Sequence, residues 1–413
     1  MSNIKILARI KPMLKKNTKS CLENQENNIL IKKLQKGCRK DHLVNYQYAF
    51  DKVFDDESTN MDLYTDISID ILRYMFKYKK DVTFYVYGQT GSGKTHSILG
   101  NQQEEGFFTL ILYDMLEINK KEGVKINVLE LYNNKCYDLL DNHKLVYQRE
   151  NGKNEYVFSS SKKIVLNSAN DVLELKKDII NKRNTGISGE NDSSSRSHLL
   201  INIYFANKNL KLLDLAGCEK AKKAICDSRI KYKENGEINQ SLFVLKECIR
   251  SLLKQNSYIP FRRNELTKIL KHSFQDSCKT FILATLSQDV NHSHTTMDVL
   301  NYISEIKNIK TVGKKEGLPP INNDFMNMNV VGSPRYKFIY SNKQLFKSLL
   351  YMENQILTDM YHKKTTKDLF EDYSDIVDKK KKLLHAYGES TKPSPPLLPK
   401  PTNGPPVRNR KYK

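Results

Sequence analysis

Gly88-Gln89-Thr90-Gly91-Ser92-Gly93-Lys94-Thr95 has the form G-x-x-x-x-G-K-[ST] and follows the apolar, β-branched and aromatic run Val82-Thr83-Phe84-Tyr85-Val86-Tyr87. That run reads as a buried strand, and the residues after Thr95 can start a helix. In this context the stretch reads as a phosphate-binding loop. Its glycines let successive backbone N–H groups turn inward around phosphate oxygens, and the helix N-terminus adds partial positive charge. Lys94 is placed to reach β- and γ-phosphates, and the Thr95 hydroxyl to ligate magnesium.

On either side of the loop, strands and helices alternate. Ile4–Ile10, Ile29–Ile31 and Tyr46–Asp51 read as strands, separated by a polar loop over 13–28 and a basic excursion over 32–41. Asp62–Tyr78 has helical spacing. Beyond the loop come a helix over Phe107–Ile118, a strand over Lys125–Tyr132, a helix over Ala169–Lys182, and strands over Leu199–Phe205 and Lys211–Asp214. In Glu237–Gln255, Ile238, Leu242, Leu245, Ile249 and Leu252 line one helical face, and Lys246, Arg250 and Lys254 line another. A strand over Phe281–Leu286 and a helix over Thr295–Lys310 close the core. Such alternation predicts an α/β fold with a mixed sheet sandwiched between helices. The organisation expected is a nucleotide-binding domain over 1–312 and a linker over 313–341. A helical segment over 342–388, able to form a short coiled coil, and a disordered Pro-rich basic tail over 389–413 follow.

Composition adds a partner class. Lys and Arg total 68 against 47 Asp and Glu, a formal net charge of +21, which calls for a polyanionic surface. The seven cysteines are scattered without a C-x-x-C pair, so neither a zinc site nor a disulfide framework is indicated. Reduced thiols, no signal-peptide core at Met1–Pro12 and no membrane-length apolar run together predict a soluble intracellular protein.

Two further stretches narrow the phosphate chemistry: Asn191-Asp192-Ser193-Ser194-Ser195-Arg196-Ser197-His198, and Asp214-Leu215-Ala216-Gly217-Cys218-Glu219 at the end of an apolar strand. Hydroxyls and a flexible glycine beside a γ-phosphate can engage it and let go after hydrolysis. The trio G-Q-T-G-S-G-K-T, N-x-x-S-S-R-S-H and D-L-A-G-x-E resembles the P-loop, switch I and switch II of the kinesin motor domain. Arg9-Ile10-Lys11-Pro12 is similar to the family's R-x-R-P adenine site, and Tyr258–Leu270 to its Y-I-P-[FY]-R-x-S-K-L-T stretch. The resemblance covers roughly residues 3 to 310.

The resemblance implies a P-loop NTPase motor fold that hydrolyses ATP with Mg2+ on microtubules, in the cytoplasm and at the cytoskeleton, including the spindle. It places Arg9 and Pro12 beside the adenine with His96 opposite, and Gly88, Gln89, Thr90, Gly91, Ser92, Gly93, Lys94 and Thr95 around the phosphates. Thr95 and Ser195 would hold magnesium, with Asp214 acting through water. Ser194 and Gly217 would sense the γ-phosphate, and Arg196 and Glu219 would pair to close the switches, Glu219 relaying a proton. Lys246, Arg250, Lys254, Arg262, Arg263 and Lys268 would face acidic tubulin, joined by basic residues of the loop over 220–233. Two positions depart from the pattern. Cys218 replaces the usual Ser or Asn, a poorer hydrogen-bond partner in switch II, and Lys11 replaces a stacking arginine.

Glu237-Ile238-Asn239-Gln240-Ser241-Leu242 with Leu245–Leu252 resembles the kinesin-13 form of this helix, which implies depolymerisation of microtubule ends. That subfamily's K-V-D finger has only Arg39-Lys40-Asp41 as a counterpart, and no basic neck precedes the first strand. The competing readings are a stepping motor, dimerised through the C-terminal helix, and a structural microtubule binder with a decayed ATPase. A nucleic-acid ATPase is the remaining use for the charge, but the sequence carries no nucleic-acid module.

Overall fold

The structure, a computed structural model, describes residues 3–13, 20–35, 42–118, 122–151, 156–158, 160–184, 196–205, 207–219 and 229–309. The side chains of 33–35, 42–43 and 229–239 are excepted. The chain opens with β1 (Ile4–Lys11), β2 (Leu22–Gln25), β3 (Asn28–Gln35), β4 (His42–Ala49), β5 (Lys52–Phe54) and α1 (Asn60–Phe76). β6 (Asp81–Gly88), α2 (Lys94–Leu99), α3 (Phe107–Ile118), β7 (Val124–Tyr132), β8 (Lys135–Asp138) and β9 (Lys144–Val146) follow. Then come β10 (Gln148–Glu150), β11 (Tyr156–Phe158), β12 (Ile164–Leu166), α4 (Ala169–Asn184), β13 (His198–Phe205) and β14 (Lys208–Asp214). α5 (Arg229–Leu253), α6 (Glu265–Leu270), β15 (Cys278–Ser287) and α7 (Ser293–Lys307) complete the described chain.

The strands form a mixed ten-stranded sheet in the order β5-β1-β15-β6-β14-β13-β7-β8-β9, with β12 added to β7. β5, β1, β15, β6 and β14 run parallel to their neighbours, and from β14 to β13 onward the pairing is antiparallel. The parallel strands bring their carboxyl ends to one edge, where an α/β sheet binds its ligand. Successive side chains of β6 point to opposite faces. Tyr85 and Tyr87 enter a core shared with α5, α6 and α7, whereas Val82, Phe84 and Val86 enter one shared with α1, α2, α3 and α4. Both faces are therefore covered, and the apolar run that precedes the loop is buried throughout. α1 starts where Thr59 and Asp62 form a reciprocal capping box, each accepting from the other's backbone N–H at 3.1 Å.

Two expectations need correction. The stretch over 13–28 is not all loop: Leu22–Gln25 pairs with β3, which pairs in turn with β4 in a separate three-stranded sheet. The strand expected over 46–51 is the last part of β4, which starts earlier, at His42, and ends at Ala49. The linker, the C-terminal helical segment, the tail, and Arg39–Asp41 lie outside the described residues.

Tyr85 is wholly buried on β6, and its hydroxyl has no hydrogen-bond partner among the described residues. An unsatisfied buried hydroxyl costs about 1–3 kcal/mol. Tyr85→Phe is therefore expected to leave the unfolding free energy unchanged or to raise it in urea titrations. A loss above about 1 kcal/mol would show that the hydroxyl is bonded through ordered water.

Candidate functional site

The phosphate loop leaves the end of β6 and turns into α2 through two left-handed glycines. Gly91 has φ +72° and Gly93, the residue that caps α2, has φ +101°. Any other L-residue is strained at those angles. Gly88 serves a different need: a Cβ there would strike Thr285 on β15 and the Ser92 hydroxyl. Ser92 Oγ in turn lies 2.6 Å from Thr285 Oγ1 and donates to the Gln89 carbonyl at 2.8 Å, so β15 braces the loop from below.

Lys94 is buried, and its Nζ donates to the Gln89 carbonyl at 2.8 Å. Burial pushes its pKa down, while Asp214 pulls it up. Beside it, Asp214 ends β14 with one carboxylate oxygen held by the Thr95 hydroxyl at 2.6 Å and by the Arg183 guanidinium at 2.9 Å. The second oxygen of Asp214 is buried and has no hydrogen-bond partner among the described residues. A threonine hydroxyl beside a half-satisfied buried carboxylate is an oxygen donor pair that suits a hydrated Mg2+.

On the base side of the loop, Arg9 is committed to the protein. It donates to Asn60 Oδ1, to Ser97 Oγ at 3.0 Å and to the Ser58 carbonyl at 3.0 Å, tying β1 to the start of α1 and to α2. His96 pairs with Glu104 at 3.2 Å, and burial together with Arg9 pushes its pKa down. Pro12 is exposed at the end of β1. Lys11, the departure from the arginine pattern, extends its Nζ to the Gly91 carbonyl at 2.7 Å. The ammonium thereby clamps the tip of the loop in place of stacking.

Ser194 and Ser195 lie outside the described residues, as does most of the loop over 220–233; the rest of that loop falls in α5 with its side chains undescribed. Arg196 lines a small cleft with Asn133, His198, Ser241, Asn264 and Glu265. Glu219 accepts from the Thr90 N–H at 2.8 Å and from the Thr90 hydroxyl, and among the described residues no ion pair joins it to Arg196. The Cys218 backbone donates to the Gly88 carbonyl at 3.2 Å. Burial pushes the Cys218 thiol up to about 11, so it is neutral and contacts Tyr87.

The basic face is centred on α5. Arg250 pairs with Glu305 at 3.2 Å, Arg262 with Glu150 at 2.9 Å, Arg263 with Glu247, and Lys268 with Glu265. Lys246 lies over the Tyr302 ring at 5.2 Å, and Lys254 is exposed. Phe243, 52% exposed, stands on the same helix.

Sequence reasoning passed over Arg183, Thr285 and Glu130. Arg183 looks like an ordinary cation in the last turn of α4, and Thr285 and Glu130 look like ordinary strand residues; none sits in a motif. Ser197 Oγ donates to the buried Glu130 at 2.5 Å, next to His198. His198, the last residue of the serine-rich motif, is buried within the protein. Burial, with Arg183 and Lys94 nearby, holds its pKa down at about 3 against about 6.5 in the unfolded chain. Above about pH 6.5 the ring is neutral in both states. As pH falls from there toward 3, the unfolded chain takes up a proton that the native site refuses, so stability is lost. Unfolding titrations across that window are expected to show the loss, and His198→Gln is expected to flatten it.

The family description "Kinesin motor domain" matches residues 9–309. Human Kinesin-like protein KIF24 is 31% identical over 301 residues, covering 70% of this chain and 22% of its own length. Arabidopsis thaliana Kinesin-like protein KIN-13B is 27% identical over 327 residues, covering 75% and 48%, and KIN-8B of the same plant is 30% identical over 338 residues, covering 75% and 41%. The chain thus spans between about a fifth and a half of the length of the curated relatives it matches. Among solved structures, the "C-terminal motor and motor homology domain of Kar3Vik1 fused to a synthetic heterodimeric coiled coil" shares the fold. Its TM-score is 0.62 at 24% identity, over 74% of this chain and 85% of that one. The loop, the two switch motifs and these matches agree: the chain belongs to the kinesin motor-domain family, a family of ATP-hydrolysing motors.

Proposed function

We propose that this chain is a microtubule-stimulated ATPase of kinesin-13 type that couples hydrolysis to the shortening of microtubule ends. The observation that carries the ATPase reading is the junction of loop and switch at Asp214, where the Thr95 hydroxyl lies 2.6 Å from a buried carboxylate with one oxygen to spare. Thr95, with Asp214 acting through water, would hold Mg2+, which supplies charge neutralisation to the phosphates. Lys94 would turn from the Gln89 carbonyl to the β- and γ-phosphates. Gly217 would donate its N–H to the γ-phosphate, and Glu219, leaving Thr90, would pair with Arg196 and orient the attacking water. The end-shortening reading is supported by the wording of α5, Glu237-Ile238-Asn239-Gln240-Ser241-Leu242, and by the similarity to KIN-13B. Lys246, Arg250, Lys254, Arg262, Arg263 and Lys268 would supply the track contacts.

ATP turnover with and without microtubules, with filament length followed in the same sample, tests both parts. Stimulated turnover with shortening from the ends is expected. Stimulated turnover on filaments of constant length would favour a stepping motor, and no turnover would leave a binding-only protein. Lys94→Ala is expected to lower turnover by about a hundredfold or more, because it removes a charged donor from the developing phosphate charge. Turnover that survives the substitution would exclude this loop as the catalytic one.

A further inference from the structure

Buried polar contacts from two other segments meet at His198, the first residue of β13, which is 4% exposed. Its Nδ1 accepts from the Ala216 N–H at 2.9 Å, and its Nε2 lies 2.9 Å from Ser241 Oγ. With Nδ1 as acceptor, the ring proton sits on Nε2, and the imidazole donates to the serine. Ala216 is the residue before Gly217, at the start of switch II. Ser241, 6% exposed, lies midway along α5, on the N-terminal side of Lys246. The preceding residue, Ser197, is fastened to Glu130 on β7, so the end of β13 is a fixed post against the sheet.

We propose that His198 is a positioning residue that couples switch II to α5, so that a shift of the Ala216 peptide changes how α5 seats its basic face. The inference rests on the microtubule-ATPase reading above. Both hydrogen bonds are buried. Breaking either one leaves a buried donor or acceptor unpaired, at the full desolvation cost, whereas moving the two partners together loses nothing. An element with two arrangements that both sites bias is what physical coupling requires. Here the two sites are the peptide next to the γ-phosphate sensor and the helix that carries Lys246 and Arg250.

Ser241→Ala removes the acceptor and leaves the phosphate loop, both switches and every basic side chain intact. The experiment measures ATP turnover with and without microtubules, and microtubule cosedimentation in ADP and in a non-hydrolysed ATP analogue. Wild type and variant full chains are run in parallel. The variant is expected to keep its unstimulated turnover and to lose about tenfold in microtubule-stimulated kcat, the size of one buried hydrogen bond. The gap in microtubule affinity between the two nucleotides is expected to narrow. Ser241→Thr, which keeps the hydroxyl, is expected to restore both. Full stimulation and an unchanged affinity gap in Ser241→Ala would overturn the proposal.

A wild-type chain that microtubules do not stimulate would sink the functional reading instead. In that case, or if Ser241→Ala does not fold, the decision passes to nitrogen-15 imidazole spectra of the wild-type protein, assigned with His198→Gln. A neutral Nε2–H ring whose signals move between ADP and the ATP analogue supports the coupling. His198 signals identical in the two nucleotides overturn it.

Discussion

Asp214 is 1% exposed, and one of its oxygens takes hydrogen bonds from both Thr95 and Arg183. Burying a carboxylate and a guanidinium costs several kcal/mol per ion, and only close geometry with extra donors returns it. At Asp214 the threonine hydroxyl is that extra donor. The end of β14, the first turn of α2 and the last turn of α4 are thus held at a single atom. The phosphate loop and the start of the Asp214–Glu219 stretch are therefore placed against α4 by one buried charge. Removing one partner of such a pair typically costs about 3–5 kcal/mol, because the other is left uncompensated. The strand order places this charge at the carboxyl edge of the parallel strands, where the ligand enters.

The parts of this site that were legible in the sequence are those with special backbone or side-chain chemistry. Gly91 and Gly93 announce themselves because few residues tolerate their angles, and β6 because both of its faces are buried. The helix α5 announces itself through the spacing of Leu242, Leu245 and Ile249. What was not legible is what depends on long-range pairing. β2, with the sequence Leu-Glu-Asn-Gln, carries one buried residue and three exposed ones, and its hydrogen bonds come from β3. β8 to β12 are three or four residues long, too short for a periodic pattern to emerge. Arg183 reads as a solvent cation until the fold sets it against Asp214, and the three protein acceptors of Arg9 come from segments that no local pattern joins to β1.

The basic face shows why net charge is a coarse guide. Of the six cations singled out from the sequence, Arg250, Arg262, Arg263 and Lys268 each have a carboxylate partner on this chain. Exposed ion pairs contribute little to stability and exchange partners readily. An acidic track would therefore meet a face whose cations are pre-oriented by their own carboxylates rather than freely waving. Phe243 adds an exposed apolar ring on α5, the kind of residue that anchors a contact while charges around it set its orientation.

The bond from Glu219 to the Thr90 amide has a consequence for how the loop meets any anion. Backbone N–H groups that converge attract negative charge, and at Thr90 that charge is tethered to the chain itself. A phosphate arriving at Thr90 would have to displace a carboxylate bonded to both its N–H and its hydroxyl, and the segment that bears Glu219 would have to give way with it.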